Sequence, residues 1–256
     1  QFVPLLEEIF KDEWFVSGCI SVHYKNMVFE GEKVKAFAKL PDEESKITDI
    51  WMEKEDGTIV LTGSAGIGPN HQTSSLDNLM SKLDKTENLV ILSEINEGLE
   101  GNERFTVKIG FDQHMGDLYP FTLRNKLSVI TEPMTWYSEA EGNSSPWGRP
   151  IIPIEMISVL TNYVGNPSNF KVKGPVIGLF ANQEIKLFKG PLFVNEEYQI
   201  EKKIIAVSQS KRVETYWCMT YVYDQNKILV AECLLNQAFL KDSYESYEEE
   251  LKSISG

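Results

Sequence analysis

Apolar residues lie close together between residues 144 and 165, where a proline-containing turn leads into a predicted helix. Pro153 stands where the first turn of a helix tolerates proline, because its missing N–H would have no partner there. Met156 and Val159 lie off the main apolar stripe, so the helix is apolar nearly all round. Such a helix is usually buried, and we therefore expect the helix over 153–164 to lie in the core. Its main stripe comprises Ile154, Ile157, Leu160, Thr161 and Val164.

Strand-like sequence, in part alternating between apolar and polar residues, occurs on both sides of this helix. Asp56-Gly57 lies between two such stretches and predicts a tight hairpin turn. The stretch 119–130 also alternates, whereas 131–140 is expected to be helical after its proline. A buried helix between β-rich segments suggests a sheet wrapped around it. The predicted strands cover 16–22, 32–40, 47–54, 58–67, 105–109, 176–187, 198–208, 213–223 and 228–240, and the other predicted helices cover 3–10 and 75–83.

Two β-rich blocks follow the same order: helix, strand, bend, long strand, strand, hairpin turn and strand. Gly18 and Gly178 each follow an apolar helix, and Trp51 and Trp217 each precede a hairpin turn by a few residues. The identity between the blocks is low, so a chance resemblance of two antiparallel meanders is the alternative explanation. If the repeat is real, the chain is a pseudo-dimer whose two sheets join edge to edge with one helix behind each.

Composition narrows the functional classes without choosing one. The chain has 256 residues, enough for one large domain or two small ones, and a net charge of −13. No basic stripe is available to neutralise phosphates, so nucleic acid is not an expected partner. No apolar run approaches the roughly 20 residues that a membrane span needs.

The N-terminus and the cysteines bear on processing and location. No signal sequence follows Gln1, which stands where a methionine is usual, so we expect a processed or cut N-terminus. The three cysteines, Cys19, Cys218 and Cys233, are too few and too odd in number for a disulfide framework. We expect them to be small core residues in a reducing compartment, the cytoplasm.

Several motifs around the central helix resemble proteins of the double hotdog fold. Gly148-Arg-Pro-Ile-Ile-Pro153 resembles the helix entry of hydroxyacyl thioester dehydratases. Tyr119-Pro-Phe, Thr131 and Trp136-Tyr-Ser-Glu-Ala-Glu-Gly142 resemble the segments that lead to this helix in MaoC-like enoyl thioester hydratases.

The first β-rich block resembles the same fold, since Glu13-Trp14 and Ser17-Gly18 are similar to the end of a hotdog helix and the start of the next strand. The resemblance implies an α+β fold, a tandem (double) hotdog whose curved antiparallel sheets each wrap a central helix. The expected divisions are a first hotdog unit at 1–68 that lacks its N-terminal part, a linker at 69–103, a second hotdog unit at 104–243 and an acidic tail at 244–256.

The catalytic pair that the resemblance implies is missing from the second unit. MaoC-like hydratases carry an Asp and a His in the loop before the helix, which activate water and deliver a proton to the enoyl thioester. Here Asn143 stands at the Asp position, and the loop 142–147 contains no His. Alignment on the dehydratase motif instead places Ser145 at the catalytic His and Val159 at the helix carboxylate. The resemblance therefore implies that the acid–base steps are carried out by other residues of this chain or by a part of the first unit that precedes Gln1.

Glu155 is the first catalytic candidate, because a carboxylate on the first turn of this helix can act as a general base in an acyl pocket. The alternative is that Glu155 caps its own helix or pairs with Arg149. Asn143 and Ser145 are further catalytic candidates, because both side chains can hydrogen-bond a thioester carbonyl. Loop residues before a helix more often act as caps or turn formers, which is the alternative for both.

Four residues are predicted to bind substrate. Tyr137 and Trp147 would form the wall of the pocket, or else part of the core. Arg149 would bind a phosphate or a carboxylate, or else act as a structural ion-pair partner. His23, in a strand of the first block, would face a cleft shared by the two units, or else be an ordinary hydrogen-bonded residue.

The resemblance implies a protein that binds an acyl thioester on coenzyme A or on an acyl carrier protein, with the acyl chain along the helix at 154–164. The preferred function is a hydratase or dehydratase, a lyase acting on a 3-hydroxyacyl or enoyl thioester. The alternatives are an acyl thioesterase that uses Glu155 and a non-catalytic hotdog domain of a larger fatty-acid or polyketide synthase.

Partners and cofactors follow from charge and ligand chemistry. An acidic carrier protein needs a local basic patch on this acidic chain, for which Lys171, Lys173 and Lys186 are candidates. No cofactor and no metal site are expected, since His114 has acidic neighbours but no second His or Cys nearby.

Overall fold

The computed structural model describes residues 2–41, 45–84, 86–102, 104–117, 119–130, 134–163 and 168–255, and within them nine strands form an antiparallel sheet. The strands are β1 Gly18–Tyr24, β2 Val34–Ala38, β3 Ile47–Lys54, β4 Ile59–Ile67, β5 Phe105–Val107, β6 Gly178–Leu187, β7 Tyr198–Gln209, β8 Val213–Tyr223 and β9 Leu229–Leu240. Their order across the sheet is β2-β3-β4-β1-β6-β9-β8-β7-β5. No helix within the described ranges has the length and apolar character to cross a membrane.

The strand order is repeated on either side of the junction between β1 and β6. From this junction outward, β1 is followed by β4, β3 and β2, and β6 is followed by β9, β8 and β7. The junction is antiparallel, with Cys19 opposite Lys186 and His23 opposite Asn182. The two β-rich blocks therefore share one topology and join edge to edge, as the repeat predicts.

Helices cover both faces of the sheet. The helices are α1 Val3–Phe10, α2 Glu13–Ser17, α3 Ser75–Met80, α4 Leu123–Val129, α5 Met156–Leu160 and α6 Tyr247–Ser255. Residues of α1, α2 and α5 share one core cluster with β1, β3, β4 and β6, and we call this side of the sheet the inner face. On the other side, the outer face, Leu76 of α3 packs against Trp217 and Leu234.

The central helix is shorter than predicted, since α5 covers five residues of the expected 153–164. Its burial is as expected, because Met156, Ile157, Val159 and Leu160 are all buried. The helix ends early because the Thr161 hydroxyl and the Asn162 amide both donate to the Ser158 carbonyl, at 3.0 and 2.8 Å. The predicted stop signals, Gly165 and Pro167, lie outside the described residues.

The prediction of alternation over 119–130 is wrong, because this stretch contains α4. Thr122 caps the helix by accepting from the Asn125 N–H, and Asn125 reciprocates at the Thr122 N–H, which forms a capping box. Leu123 and Leu127 are spaced by one helical turn and pack towards the core. Of the helix expected over 131–140, the structure has a single 3₁₀ turn at Thr135–Tyr137, and residues 131–133 lie outside the described part.

The three cysteines are free and buried, as the sequence predicts. Burial raises the pKa of the Cys19 thiol well above its ordinary value, and it raises the pKa of Cys218 to about 11. The pKa of Cys233 is also raised by burial. The three side chains therefore act as neutral core residues at physiological pH.

A buried polar cluster holds α3 on the outer face. Ser21 of β1 accepts a hydrogen bond from the Leu76 N–H at 3.1 Å. Lys186 of β6 lies 2.9 Å from the buried Glu184 carboxylate and 3.3 Å from Asp77 of α3. Burial raises the pKa of Asp77, but the N–H of Ser74 and the Lys186 ammonium outweigh it, so that the pKa is lowered overall.

We expect Asp77→Asn to destabilise the protein by about 1 kcal/mol at neutral pH, because it weakens both the capping box and the contact with Lys186. A carboxylate with a depressed folded-state pKa stabilises the fold above its unfolded value, about 3.9, and this contribution is lost as the pH falls through the folded-state pKa. The difference between variant and wild type should therefore shrink below about pH 4. Denaturant titrations at neutral pH and below about pH 4 check this, with Asp84→Asn, at an exposed position, as the control. An Asp77→Asn penalty that does not change with pH contradicts the assignment.

Candidate functional site

A cavity of about 450 Å³ lies between the inner face of the sheet and the segments that cover it. The sheet contributes β1, β3, β4 and β6, and the cover comes from α1, α2, α4 and the residues that precede α5. A volume of this size is typical of small-molecule sites in proteins. The apolar lining is Phe2, Val3, Pro4, Trp14, Ile20, Val22, Met52, Leu61, Val129, Ile130, Met134, Ile154 and Ile185, and the polar lining is Tyr24, Lys126, Tyr137, Glu155 and Gln183.

Glu155 lines the cavity from the N-cap position of α5. Its carboxylate makes no capping hydrogen bond, and the residue is exposed. Arg149, which the sequence offers as its partner, pairs with Glu196 instead. Neither structural alternative for Glu155 is therefore observed, and its carboxylate is open to a ligand or to water.

Tyr137 is buried at 5% exposure and also lines the cavity, where its hydroxyl forms no hydrogen bond with the described residues. Burial raises the pKa of Tyr137 well above its ordinary value, and the negative charges of Glu155 and Glu7 raise it further. The phenol therefore stays protonated at neutral pH and can donate a hydrogen bond to a ligand.

Tyr24 and Gln183 meet on the inner face at the β1–β6 junction. The Tyr24 hydroxyl donates to Gln183 Oε1 at 2.8 Å, and Gln183 Nε2 lies 3.9 Å from Cys233 Sγ. Burial raises the pKa of Tyr24 to about 12, so its hydroxyl remains a donor over the physiological range. The two side chains form a polar pair within an otherwise apolar part of the inner face.

Lys126 of α4 is the remaining polar lining residue. Its ammonium lies 5.8 Å from the centre of the Phe121 ring, and it forms no ion pair with the described residues. The side chain is half-buried. Lys126 therefore brings a positive charge to the cavity that no protein carboxylate neutralises at contact distance in the described part of the chain.

Asn143, Ser145 and Arg149 do not line the cavity. Asn143 is exposed in a short 3₁₀ turn. Ser145 is buried, and its hydroxyl donates to the Arg149 carbonyl at 2.7 Å and accepts from the Arg149 N–H at 3.3 Å. The Arg149 guanidinium pairs with Glu196 and lies 3.5 Å from the centre of the Phe193 ring. These contacts are those of a structured loop, and the predicted ligand contacts of the three residues stay predictions.

Trp147 and His23 also lie away from the cavity. Trp147 packs edge-on against Phe15 and Trp136, at 6.2 and 5.7 Å between ring centres. In β1, His23 stands between Val22 and Tyr24, whose side chains point to the inner face. Because successive side chains of a strand point to opposite faces, the His23 side chain lies on the outer face. There Nδ1 of His23 is 2.8 Å from Oδ1 of Asn182.

The loop around His114 is tied down by local contacts. His114 Nδ1 accepts from the Gly116 N–H at 3.1 Å, and Asp112 binds Arg124 at 2.6 and 2.8 Å. Among the residues that the structure describes, no group of three or more His, Cys, Asp or Glu side chains is arranged to hold a metal ion.

Known structures share this architecture. A MaoC-domain protein from Chloroflexus aurantiacus J-10-fl, assigned as a dehydratase, matches with a TM-score of 0.53 at 10% identity, over 87% of this chain and 74% of that chain. The fold is hotdog-like. The resemblance to MaoC-like dehydratases and hydratases is thereby confirmed at the level of structure, and at this identity the likeness shows the hotdog-like fold alone.

Two further solved structures match the hotdog-like fold less closely. Acyl-CoA thioesterase II TesB2 from Mycobacterium marinum has a TM-score of 0.45 at 8% identity, over 91% of this chain and 84% of that chain. The 3R-hydroxyacyl-ACP dehydratase complex HadBC from Mycobacterium tuberculosis has a TM-score of 0.44 at 13% identity, over 56% of this chain and 97% of that chain. No family model and no curated protein matches the sequence.

Tyr24, Gln183 and Lys126 are the polar cavity residues that the sequence does not single out. In β1 and β6 of the hotdog-like sheet, inward positions recur every second residue, so Tyr24 follows Val22 and Gln183 precedes Ile185. A polar side chain at an inward position of an apolar strand face is a recognisable signal. Lys126 has no comparable signal, because the alternation of its stretch does not predict the helix that brings it to the cavity.

Proposed function

We propose that this chain is a double hotdog protein that binds an acyl thioester in the cavity and acts as a hydratase or dehydratase on an enoyl or 3-hydroxyacyl thioester. The observation that carries the proposal is the apolar cavity with Glu155 and Tyr137 in its wall. An acyl chain fits an apolar wall, and a carboxylate without an ion-pair partner among the described residues can move a proton.

The chemistry needs one base that works in both directions. In hydration, Glu155 takes a proton from water as the water oxygen bonds to C3 of the enoyl thioester. The proton then passes from Glu155 to C2, so that water is added across the double bond and the carboxylate is regenerated. Dehydration is the reverse, with Glu155 removing the C2 proton and returning it to the departing hydroxyl as water leaves.

Tyr137 contributes a neutral hydrogen-bond donor in this proposal. Its raised pKa keeps the proton on the phenol, so the hydroxyl orients water or the C3 hydroxyl beside Glu155 rather than acting as a base. The acyl chain lies beside α1 and β1 rather than along all of 154–164, since Ile154 and Glu155 are the residues of that segment in the cavity lining.

The carrier in this proposal is coenzyme A or an acyl carrier protein. The lysines considered for docking a carrier are engaged in ion pairs: Lys171 with Glu94, Lys173 with Glu250, and Lys186 with Glu184 and Asp77. These pairs neutralise the suggested basic patch. Coenzyme A is anionic, as an acidic carrier protein is, so the loss of this patch bears equally on both carriers.

A thioesterase is the second candidate, because Glu155 is the one carboxylate in the described cavity lining and no His accompanies it there. A lone carboxylate can direct water to the thioester carbonyl instead of to C3. The two reactions differ in product, because hydrolysis releases a thiol and hydration does not.

The test uses the S-2-octenoyl thioester of N-acetylcysteamine with the purified wild-type chain. Hydration removes the ultraviolet absorbance of the conjugated enoyl thioester without releasing thiol, and this is the expected result. Thiol release, followed with a chromogenic disulfide, identifies a thioesterase. Saturable binding with neither reaction identifies the non-catalytic alternative. Absence of binding, measured by isothermal titration calorimetry, overturns the whole proposal.

A further inference from the structure

The inner face at the β1–β6 junction is apolar apart from Tyr24 and Gln183. The inward positions of β1 that line the cavity are Ile20, Val22 and Tyr24, and those of β6 are Gln183 and Ile185. Tyr24 and Gln183 come from different halves of the sheet and are 159 residues apart in the chain, yet their side chains are bonded at 2.8 Å. Tyr24 is 39% exposed and Gln183 is half-buried, so the pair borders both the cavity and the solvent.

The Gln183 side chain has an unused hydrogen-bond donor. A primary amide has two N–H groups and one carbonyl oxygen, and the Tyr24 hydroxyl occupies the oxygen. Of the two N–H groups, the structure gives one weak partner, Cys233 Sγ at 3.9 Å. At least one N–H of Gln183 therefore lacks a partner among the described residues, and the side chain borders the cavity.

Tyr24 holds the oxygen end of the Gln183 amide. The Tyr24 hydroxyl donates to Oε1 at 2.8 Å, so the N–H groups of Gln183 lie on the side of the amide away from this contact. The position of the N–H groups is thus set by a hydrogen bond across the junction between the two halves.

We propose that Gln183 Nε2 donates a hydrogen bond to the carbonyl oxygen of a ligand in the cavity, and that Tyr24 is a positioning residue for this contact. The proposal rests on the proposed function, since it takes that carbonyl to be the thioester carbonyl. It identifies the β1–β6 junction as the point that selects acylated over alkylated ligands. No other cavity-lining residue in the described part of the chain has a side-chain amide.

The experiment removes the hydrogen bond from each side in turn. The ligands are the S-octanoyl derivative of N-acetylcysteamine, a thioester, and the S-octyl derivative, a thioether of the same chain length without the carbonyl oxygen. Dissociation constants for both are measured by isothermal titration calorimetry with wild type, Gln183→Leu and Gln183→Glu. We expect wild type to prefer the thioester by about tenfold, the effect of one hydrogen bond with a net contribution of about 1.4 kcal/mol. Both variants should bind the two ligands equally, with thioether affinity unchanged within about twofold.

Tyr24→Phe should reduce the preference for the thioester to about threefold, because the hydrogen bond that holds Gln183 Oε1 in place is then lost. The matched control is Gln199→Leu in β7, which removes an amide that does not line the cavity and should keep the wild-type preference.

If wild type prefers the thioester and Gln183→Leu retains that preference, the inference fails while the proposed function stands. If wild type binds both ligands equally, no carbonyl contact exists and the inference also fails. If wild type binds neither ligand, the proposed function and the inference fail together.

Discussion

Replacing Glu155 by Gln should lower kcat for enoyl thioester hydration by about 10² to 10⁴-fold, the range usually lost with a general acid–base group. The substitution removes the proton acceptor and leaves the size of the side chain almost unchanged. Glu155 makes no capping hydrogen bond and no ion pair with the described residues, so the fold does not depend on it. Binding of the S-octanoyl thioester should therefore change by less than about threefold, since the lost group acts on the proton rather than on the acyl chain.

The measurement combines initial rates with calorimetric binding for wild type and Glu155→Gln. Glu141→Gln is the matched control, because Glu141 is an exposed carboxylate in the loop before α5 that does not line the cavity. Wild-type rates for Glu141→Gln establish that the loss is specific to the cavity carboxylate. Unchanged turnover in Glu155→Gln would remove this residue from the mechanism and leave the acid–base role without a carboxylate in the described cavity lining.

Glu214→Ala should destabilise the protein by about 3–5 kcal/mol, since it strips three donors of one buried acceptor group. Glu214 of β8 is fully buried and accepts from the Val90 N–H at 2.9 Å and from the Leu92 N–H at 3.0 Å. It also accepts from the Tyr247 hydroxyl at 2.9 Å, which ties α6 to the sheet. Without the carboxylate, two backbone N–H groups and a phenol lose their partner inside the protein.

Denaturant unfolding of wild type, Glu214→Ala and Glu214→Gln provides the measurement. Glu214→Gln keeps one acceptor oxygen and should therefore lose less than Glu214→Ala. Glu248→Ala, at an exposed position in the first turn of α6, should stay within about 0.5 kcal/mol of wild type. If Glu214→Ala loses less than about 1 kcal/mol of unfolding free energy, water replaces the carboxylate at little cost. In that case the Glu214 carboxylate does not hold the 90–92 segment in place.

Much of the sheet was readable from sequence because its signals are local. The Asp56-Gly57 turn and the alternation around it fix β3 and β4 to within a residue of the predicted bounds. The repeat was visible for the same reason, since a strand order that occurs twice leaves similar turns in similar places. Residues 119–130 were assigned wrongly because Leu123, Leu127 and Val129 suit either a short strand or a helix, and the Thr122 capping box decides for the helix.

The candidate site was less readable because it is assembled from distant parts of the chain. Glu155 and Tyr137 were found through their place near the central helix, and both line the cavity. Tyr24 and Gln183 meet only because β1 and β6 pair, and no local sequence pattern predicts that pairing. The sequence suggests Glu155 or a ligand as the partner of Arg149, whereas the fold brings Glu196 to it from 47 residues further along the chain.

The pairing of β1 with β6 also has a consequence for how the chain reaches its native state. The contact between Tyr24 and Gln183 closes a loop of 159 residues, so this junction forms late and contributes a high contact order. Until β6 is available, one edge of β1 presents unpaired backbone groups beside apolar side chains, which invites association with other chains. During synthesis on the ribosome, the sheet of the N-terminal half therefore stays open-edged from the completion of β4 until β6 has been made. Refolding yield should fall steeply with protein concentration for this reason.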